Sequence, residues 1–180
     1  MTGASAAPEF SYPVSVARLP KEPSVYKLKA KPAERTALAS RFGIVSIERL
    51  EAEVVLRPVA GGMVRLDATL EADVVQACVV TLDPVEASVV ETFALLYGDV
   101  AEEEEILQGD EELVVEPLED DVIDLGEAVA QQLSLGLDPY PRSPAAAAAL
   151  DEGQAEAVEA SRSPFAALAG RAKADPPKKN

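Results

Sequence analysis

The fold is decided by the stretch Val64-Arg-Leu-Asp-Ala-Thr-Leu-Glu-Ala-Asp-Val74, in which apolar and polar side chains alternate without interruption. This period of two is typical of a β-strand that buries one face and leaves the other in water. Residues 50–56 alternate in the same way, and residues 58–62 between the two stretches have the composition of a hairpin loop. The sequence therefore predicts a long antiparallel hairpin, which must bend strongly because it exceeds ordinary strand length.

The alternation continues on both sides of this hairpin. A turn at Leu82-Asp83-Pro84 precedes a third strand, in which apolar residues alternate from Val85 to Tyr97. Residues 10–16 also alternate, but Pro13 has no backbone N–H to donate, which restricts this strand to an edge or a bulge. The pattern predicts an antiparallel β-meander with one apolar face.

Two short helices can cover that face. Residues 32–42 begin with a proline and end before Gly43, as helices often do. The second helix has a predicted capping box, with Asp124 as N-cap and Glu127 at the third helical position, and Gly136 is a suitable stop. We therefore expect an α+β fold, in which an antiparallel meander with a strongly bent long hairpin is packed by one or two short helices.

The charge is unevenly distributed along the chain. Residues 1–65 carry 10 basic and 6 acidic side chains, whereas residues 66–141 carry 21 acidic and no basic side chains. Such a field repels bare phosphate backbones and attracts basic partners. Residues 102–105 are four consecutive glutamates, a type of block that usually stays solvated. We predict a flexible, disordered acidic loop over residues 99–117.

The core-forming pattern ends after Pro141. We predict a single α+β domain over residues 1–141 and a low-complexity, disordered tail over residues 142–180. Within the tail, residues 163–170 predict a short helix that begins at Pro164 and places Phe165 and Leu168 on one face. Because a helix of two turns is not stable alone, it must dock, either on a partner or on the protein's own meander.

The composition excludes most catalytic chemistry. The chain has no histidine, one cysteine (Cys78), and no glycine-rich phosphate loop. We therefore expect no enzyme activity, no cofactor and no metal site. Cys78 is an even-numbered position, like the core-facing residues from Val64 to Val74. Its side chain is therefore predicted to face the core, which favours a buried structural thiol. The lack of disulfide partners, of a signal peptide and of an apolar run long enough to span a membrane predicts a cytoplasmic protein.

Basic residues of the first third could contact RNA phosphates, although a solvated charged face is the more frequent explanation of such a pattern. These candidate residues are Lys27, Lys29, Lys31, Arg35 and Arg41.

Several motifs occur in a characteristic order. Cys78-Val-Val-Thr-Leu-Asp-Pro-Val85 forms the turn after the long hairpin, and Tyr97 closes the third strand. Asp121-Val-Ile-Asp124-Leu125 opens the second helix, and Ser163-Pro164-Phe165-Ala-Ala-Leu168 lies near the end of the chain. In order and spacing they resemble the YceD family, the large ribosomal RNA subunit accumulation proteins of bacteria and plastids. The residues that carry its signature are Cys78, Leu82, Pro84, Asp124 and Leu125.

The resemblance implies a non-enzymatic factor that supports accumulation of large-subunit (23S) ribosomal RNA and ribosome assembly. Its partner would be ribosomal RNA or a large-subunit precursor, contacted directly or through a basic ribosomal protein, with no DNA and no membrane involved. The alternative from another class is an acidic adaptor or chaperone that binds a basic protein without touching RNA.

The chain departs from the family at one set of positions. Many members have a second cysteine three residues after the first, and a histidine and a cysteine after the proline-rich end of the helix. Here Thr81 takes the first of these positions, and Pro139-Tyr-Pro-Arg142 contains neither ligand. Any metal site of the relatives is therefore not expected in this chain.

We predict that the purified protein binds no stoichiometric zinc, because Cys78 alone remains of a ligand set with zinc-like spacing. Elemental analysis after a chelator wash should find far less than one zinc per chain. One retained zinc per chain would contradict the prediction.

Overall fold

A computed structural model describes residues 8–98, 105–108, 111–118, 120–146 and 148. In chain order its strands are β1 (Pro13–Ser15), β2 (Ser24–Lys29), β3 (Ser46–Pro58), β4 (Val64–Ala77), β5 (Pro84–Gly98), β6 (Glu105–Gln108), β7 (Glu111–Pro117) and β8 (Val122–Asp124), and its α-helices are α1 (Pro32–Phe42) and α2 (Leu125–Gly136). The main sheet has six strands in the order β2-β3-β4-β5-β7-β6, and β1 and β8 form a second sheet. The expected α+β class is confirmed.

Three long antiparallel strands, β3, β4 and β5, form the centre of the main sheet. β3 pairs with β4 from Pro58↔Val64 to Ser46↔Val75, with a register shift between Ile47 and Arg49. The inward face of β3 and β4 is almost entirely excluded from water: Leu50, Val54, Leu56, Val64, Leu66, Leu70 and Val74 are each at most 1% exposed. The alternation in the sequence therefore identified the buried face correctly.

Both helices have the predicted limits and cover the apolar face. α1 ends at Gly43, whose φ of 67° is the left-handed conformation that glycine adopts without strain. α2 buries Leu125, Val129 and Leu133, each 0% exposed, and contacts β5, β4 and β1. The core thus lies between one face of the sheet and the two helices.

Asp124 joins the start of α2 to the beginning of the chain. Its carboxylate accepts hydrogen bonds from the backbone N–H groups of Gly126 (3.0 Å) and Glu127 (3.2 Å), which caps the helix. The same carboxylate accepts from the Ser11 hydroxyl at 2.5 Å and the Tyr12 N–H at 2.7 Å. One side chain therefore fixes the helix terminus and the segment before β1 together.

The backbones at this junction are in close contact. The Leu125 N–H donates to the Tyr12 carbonyl at 3.0 Å. A Cβ atom on Gly126 would lie 2.6 Å from the Phe10 carbonyl oxygen, so a larger residue could not occupy that position without a backbone shift. The strand expected over residues 10–16 is shorter in the structure, because residues 10–12 contact α2 and Val16–Arg18 form a 3₁₀ turn.

The acidic segment contains two strands that its charge pattern did not indicate. β7 runs parallel to β5, with Leu96 opposite Val115, and β6 pairs antiparallel with β7. Leu96 and Val115 are both 0% exposed, although they lie outside the main core. Residues 99–104 and 109–110 lie outside the described residues, so the flexibility of the whole loop stays a prediction.

Replacing Asp124 with alanine should lower the free energy of unfolding by about 2–4 kcal/mol, because it removes a helix cap and two further hydrogen bonds to a charged acceptor. Asp124→Asn keeps one oxygen that can cap the helix and should cost less than half as much. Urea denaturation of both variants measures the difference. Equal losses in the two variants would show that the carboxylate does not hold the junction.

Candidate RNA and protein interface

Two of the five candidate RNA-contacting residues lie on the edge strand β2, on the solvent face of the sheet. The Lys27 ammonium is 3.3 Å from the Glu53 carboxylate, and the Lys29 ammonium is 2.7 Å from that of Glu51, directly across the strand pair. The hydrogen bond from Lys29 holds the pKa of Glu51 below its usual range. The lysine side chains are 80% and 76% exposed, and exposed pairs of this kind contribute little to stability. An external anion could therefore replace either carboxylate.

These pairs form one wall of an open trough on the same face. It has a volume of about 500 Å³ and is lined by Lys27, Leu28, Lys29, Glu51, Ala52, Glu53, Thr69 and Glu71. Each of its three carboxylates is paired with a cation: Glu53 with Lys27, Glu51 with Lys29, and Glu71 with Arg49. The trough therefore offers acceptors to a basic group as readily as it offers donors to a phosphate.

Lys31 and Arg35 lie at the beginning of α1 and have partners there. The Lys31 ammonium is 3.5 Å from the Glu34 carboxylate, which also accepts the Lys31 backbone N–H at 2.6 Å. The Arg35 guanidinium donates to the carbonyl oxygens of Ile47 (3.0 Å) and Ala30 (2.9 Å). Arg35 therefore ties α1 to the chain on either side of it, and part of its donor set is already used.

Arg41 connects the two helices. Its guanidinium donates two hydrogen bonds to the Glu127 carboxylate, at 2.7 and 2.9 Å, and one to Glu9 at 3.0 Å. The bonds to Glu127 raise the pKa of Arg41 above its usual range, and those from Arg41 lower the pKa of Glu127. Glu127, predicted as half of a capping box, thus holds the first helix against the second. Two carboxylates surround one guanidinium, an arrangement that does not favour a phosphate.

Sequence reasoning did not identify Arg49, which contacts the trough carboxylates Glu51 and Glu71 on the same face of the sheet. It donates to Asp73 and Glu71, both at 2.8 Å, and these bonds raise its own pKa above the usual range. The hydrogen bond from Arg49 also lowers the pKa of Asp73. The register shift between Ile47 and Arg49 breaks the alternation of β3, so the strand pattern gave no sign of this cluster.

The acidic excess of the chain is concentrated in one segment of the sequence. Residues 99–121 contain 12 acidic and no basic residues. Some of these residues belong to the hairpin of β6 and β7, which extends the sheet beyond β5. The cations Lys27, Lys29, Arg41 and Arg49 pair with carboxylates outside this segment. In the sequence, the acidic excess is therefore concentrated in the segment that contains β6 and β7.

The family-signature residues occupy two different parts of the fold. Cys78 and Leu82 belong to the turn between β4 and β5, where the Leu82 N–H donates to the Cys78 carbonyl at 2.9 Å, and Pro84 begins β5. Asp124 and Leu125 begin α2, as described above. The predicted docking residues Pro164, Phe165 and Leu168 lie outside the described residues, so their docking stays a prediction.

The turn between β4 and β5 is fastened to the chain after α2. The Val79 N–H donates to the Pro141 carbonyl at 2.9 Å, and the Gln76 side chain donates to the Asp138 carbonyl at 2.8 Å. Sequence reasoning missed this contact, although Gln76 is a signal for it: a polar residue in a core-facing position needs a buried partner. Packing continues to Ala146, which is 3% exposed and lies beyond the predicted domain boundary at residue 141.

Cys78 is 0% exposed, as its parity predicted. Hydrogen bonds from the Thr81 hydroxyl and the Ser143 N–H (3.4 Å to Sγ) lower the pKa of the thiol to about 6, against the opposing effect of burial. Thr81 therefore serves Cys78 as a hydrogen-bond donor from three residues further along the chain. Within the described parts of the chain, no group of three or more side chains could hold a metal ion.

Comparisons with known proteins add one finding. A family model described as "Large ribosomal RNA subunit accumulation protein YceD" matches residues 66–170, more than half of the 180 residues. No curated protein and no solved structure matches the chain. Among the residues that the structure describes, no helix is both long enough and apolar enough to cross a membrane.

The buried thiolate predicts a pH dependence of stability. Because the folded pKa of Cys78 (about 6) lies below the ordinary value of ~8.5, ionisation stabilises the folded state. This contribution should be complete above about pH 8.5 and should be lost as the pH falls through 6. Denaturation curves between pH 5.5 and 9 should show a rise in stability with pH that Cys78→Ala removes.

A labelling experiment provides the control for this prediction. Since Cys78 is buried, a maleimide should react at the rate of local or global opening, with little direct dependence on the ionised fraction. Fast modification of the folded protein, or an unchanged pH dependence in Cys78→Ala, would contradict the buried thiolate.

Proposed function

Since the chain belongs to the YceD family of large ribosomal RNA subunit accumulation proteins, we propose that it is a non-enzymatic factor that supports ribosome assembly by binding a basic protein of the large-subunit precursor. The family description names the accumulation of an RNA and no reaction. The absence of histidine from the sequence is consistent with a binding role, because it removes the commonest general base. Such a role would be carried out in the cytoplasm, where ribosomes are assembled.

One observation carries the choice of a protein partner: the candidate basic residues are already paired inside the fold, whereas the chain has 32 acidic side chains for 16 basic ones. The ammonium and guanidinium groups that could contact RNA each have a carboxylate or carbonyl partner within 3.5 Å. Residues 99–121 offer 12 acidic residues without a single basic one. A protein that binds ribosomal RNA neutralises phosphates with lysine and arginine, so it presents the complementary charge.

The proposed mechanism is electrostatic competition. A basic protein bound to the acidic segment (residues 99–121) is kept from nonspecific contacts with RNA, because its cations are already neutralised. A specific RNA site, which adds shape and base contacts to the phosphate contacts, can still remove it from that segment. Ribosomal RNA to which the basic protein is delivered promptly is covered by that protein, and it therefore accumulates.

A second candidate function is direct contact with ribosomal RNA through β2. The exposure of Lys27 and Lys29, 80% and 76%, supports it, because both can turn from their glutamate partners to a phosphate. The trough beside them carries three carboxylates, which weakens this candidate.

Two charge variants distinguish the candidates. The first replaces the glutamates at residues 102–105 with glutamine, and the matched control carries Lys27→Gln and Lys29→Gln. For a basic protein client, the first variant should lose co-purification with large-subunit precursors, and the control should retain it. The interaction of the parent protein should weaken steeply with salt, because the Debye length falls from about 8 Å at physiological salt to about 3 Å at 1 M.

Nuclease treatment of the recovered complex completes the test. The proposal expects a basic protein that remains bound after the RNA has been digested. Loss of all partners on digestion, together with loss of binding in the lysine control, would favour the direct RNA contact and overturn the protein client.

A further inference from the structure

An exposed apolar surface lies at the end of the main sheet, on the turn between β4 and β5. Val79, Val80 and Leu82 are 49%, 54% and 79% exposed there. Tyr140, 70% exposed, comes from the neighbouring segment, which the hydrogen bond from Val79 to Pro141 holds beside the turn. We call these four exposed residues (Val79, Val80, Leu82 and Tyr140) the turn surface. Contiguous apolar surface of this kind on a folded protein commonly marks an interaction site.

The backbone of Leu82 strengthens this interpretation. Its φ of 64° lies in the left-handed region, which glycine or asparagine occupies with less strain than leucine. A residue chosen only for the turn would be small or polar. The strained position carries instead a large apolar side chain that the described residues leave almost fully in water, which indicates that the side chain has a contact to make.

The chain leaves the described domain beside this surface. The Ser143 N–H donates to Cys78 Sγ, and Ala146 is 3% exposed, so the segment after α2 packs against the base of the turn. Only 14 residues separate residue 148 from residue 163. As a flexible linker this length spans on the order of 20 Å, and short flexible linkers give effective concentrations in the millimolar range. Even a weakly binding segment would then dock efficiently.

We propose that the turn surface binds residues 163–170 of the same chain, with Phe165 and Leu168 as the apolar anchors. Residues 163–170 contain no charged side chain, and neither do the exposed turn residues from Val79 to Leu82. The two apolar, uncharged centres are therefore complementary.

The family match supports the pairing of these two parts. It begins at residue 66 and ends at residue 170, so it includes the turn surface and closes with the docking segment. The inference does not depend on the proposed function, because it concerns a contact within one chain.

Phe165→Trp provides a direct probe, because the chain contains no other tryptophan. In the full-length protein at low concentration, the emission of the introduced indole should be blue-shifted and protected from acrylamide quenching. Leu82→Asn removes the largest apolar contact while placing a residue that tolerates a positive φ, so the turn should still fold. It should lower the ratio of docked to free segment by about tenfold. Val90→Thr, at an exposed position of β5, is the matched control and should leave the fluorescence unchanged.

A measurement without tryptophan guards against an effect of the probe itself. Phe165→Ala and Leu82→Asn should each remove the docking contribution to thermal stability, and the double variant should lose less than the sum of the two single variants. Additive losses, or a solvent-exposed indole in the monomeric Phe165→Trp protein, would overturn the proposal. Protection of the indole from quenching that appears only at high protein concentration would also overturn the proposal, because the segment would then bind the turn surface of a second copy. Protection that requires an added large-subunit precursor would overturn it in favour of an external partner.

Discussion

The packing of this protein depends on the carboxylate of Asp124. Four donors converge on it, two from the first turn of α2 and two from Ser11 and Tyr12. Without this carboxylate, α2 would begin with uncompensated N–H groups, and the first described segment would lose two of the hydrogen bonds that hold it. Since α2 is the element that covers β5, the apolar face of the meander depends on a contact between residues more than 100 positions apart.

Charge pairing has a different role in the two halves of the chain. In the N-terminal half, residues such as Arg41 and Arg49 connect elements, and their charges are neutralised where they act. In the C-terminal half, acidic residues accumulate in the segment that contains β6 and β7, where the sequence has no basic residue. The first arrangement stabilises the fold, and the second leaves a field that extends into the solvent.

The features that could be predicted from sequence are those encoded locally. The strands β3 and β4 follow from a period of two, and α1 and α2 follow from their terminal residues. The features that could not be predicted depend on distant partners. No local pattern indicates that Val115 pairs beside Leu96, or that Ser143 donates to Cys78. The basic residues could be identified in the sequence, but the carboxylates with which they form ion pairs could not.

The pairing of β1 with β8 also constrains when the protein can fold. Pro13 pairs with Asp124, so the partner of the first strand is synthesised 111 residues later. At the usual elongation rates of about 5–20 residues per second, this interval lasts roughly 5–20 s. The hairpin of β3 and β4 can form during that time, because its strands are adjacent in sequence. Residues 13–15 must therefore wait, without their strand partner, until β8 has emerged from the ribosome, although the hairpin beside them can already be formed.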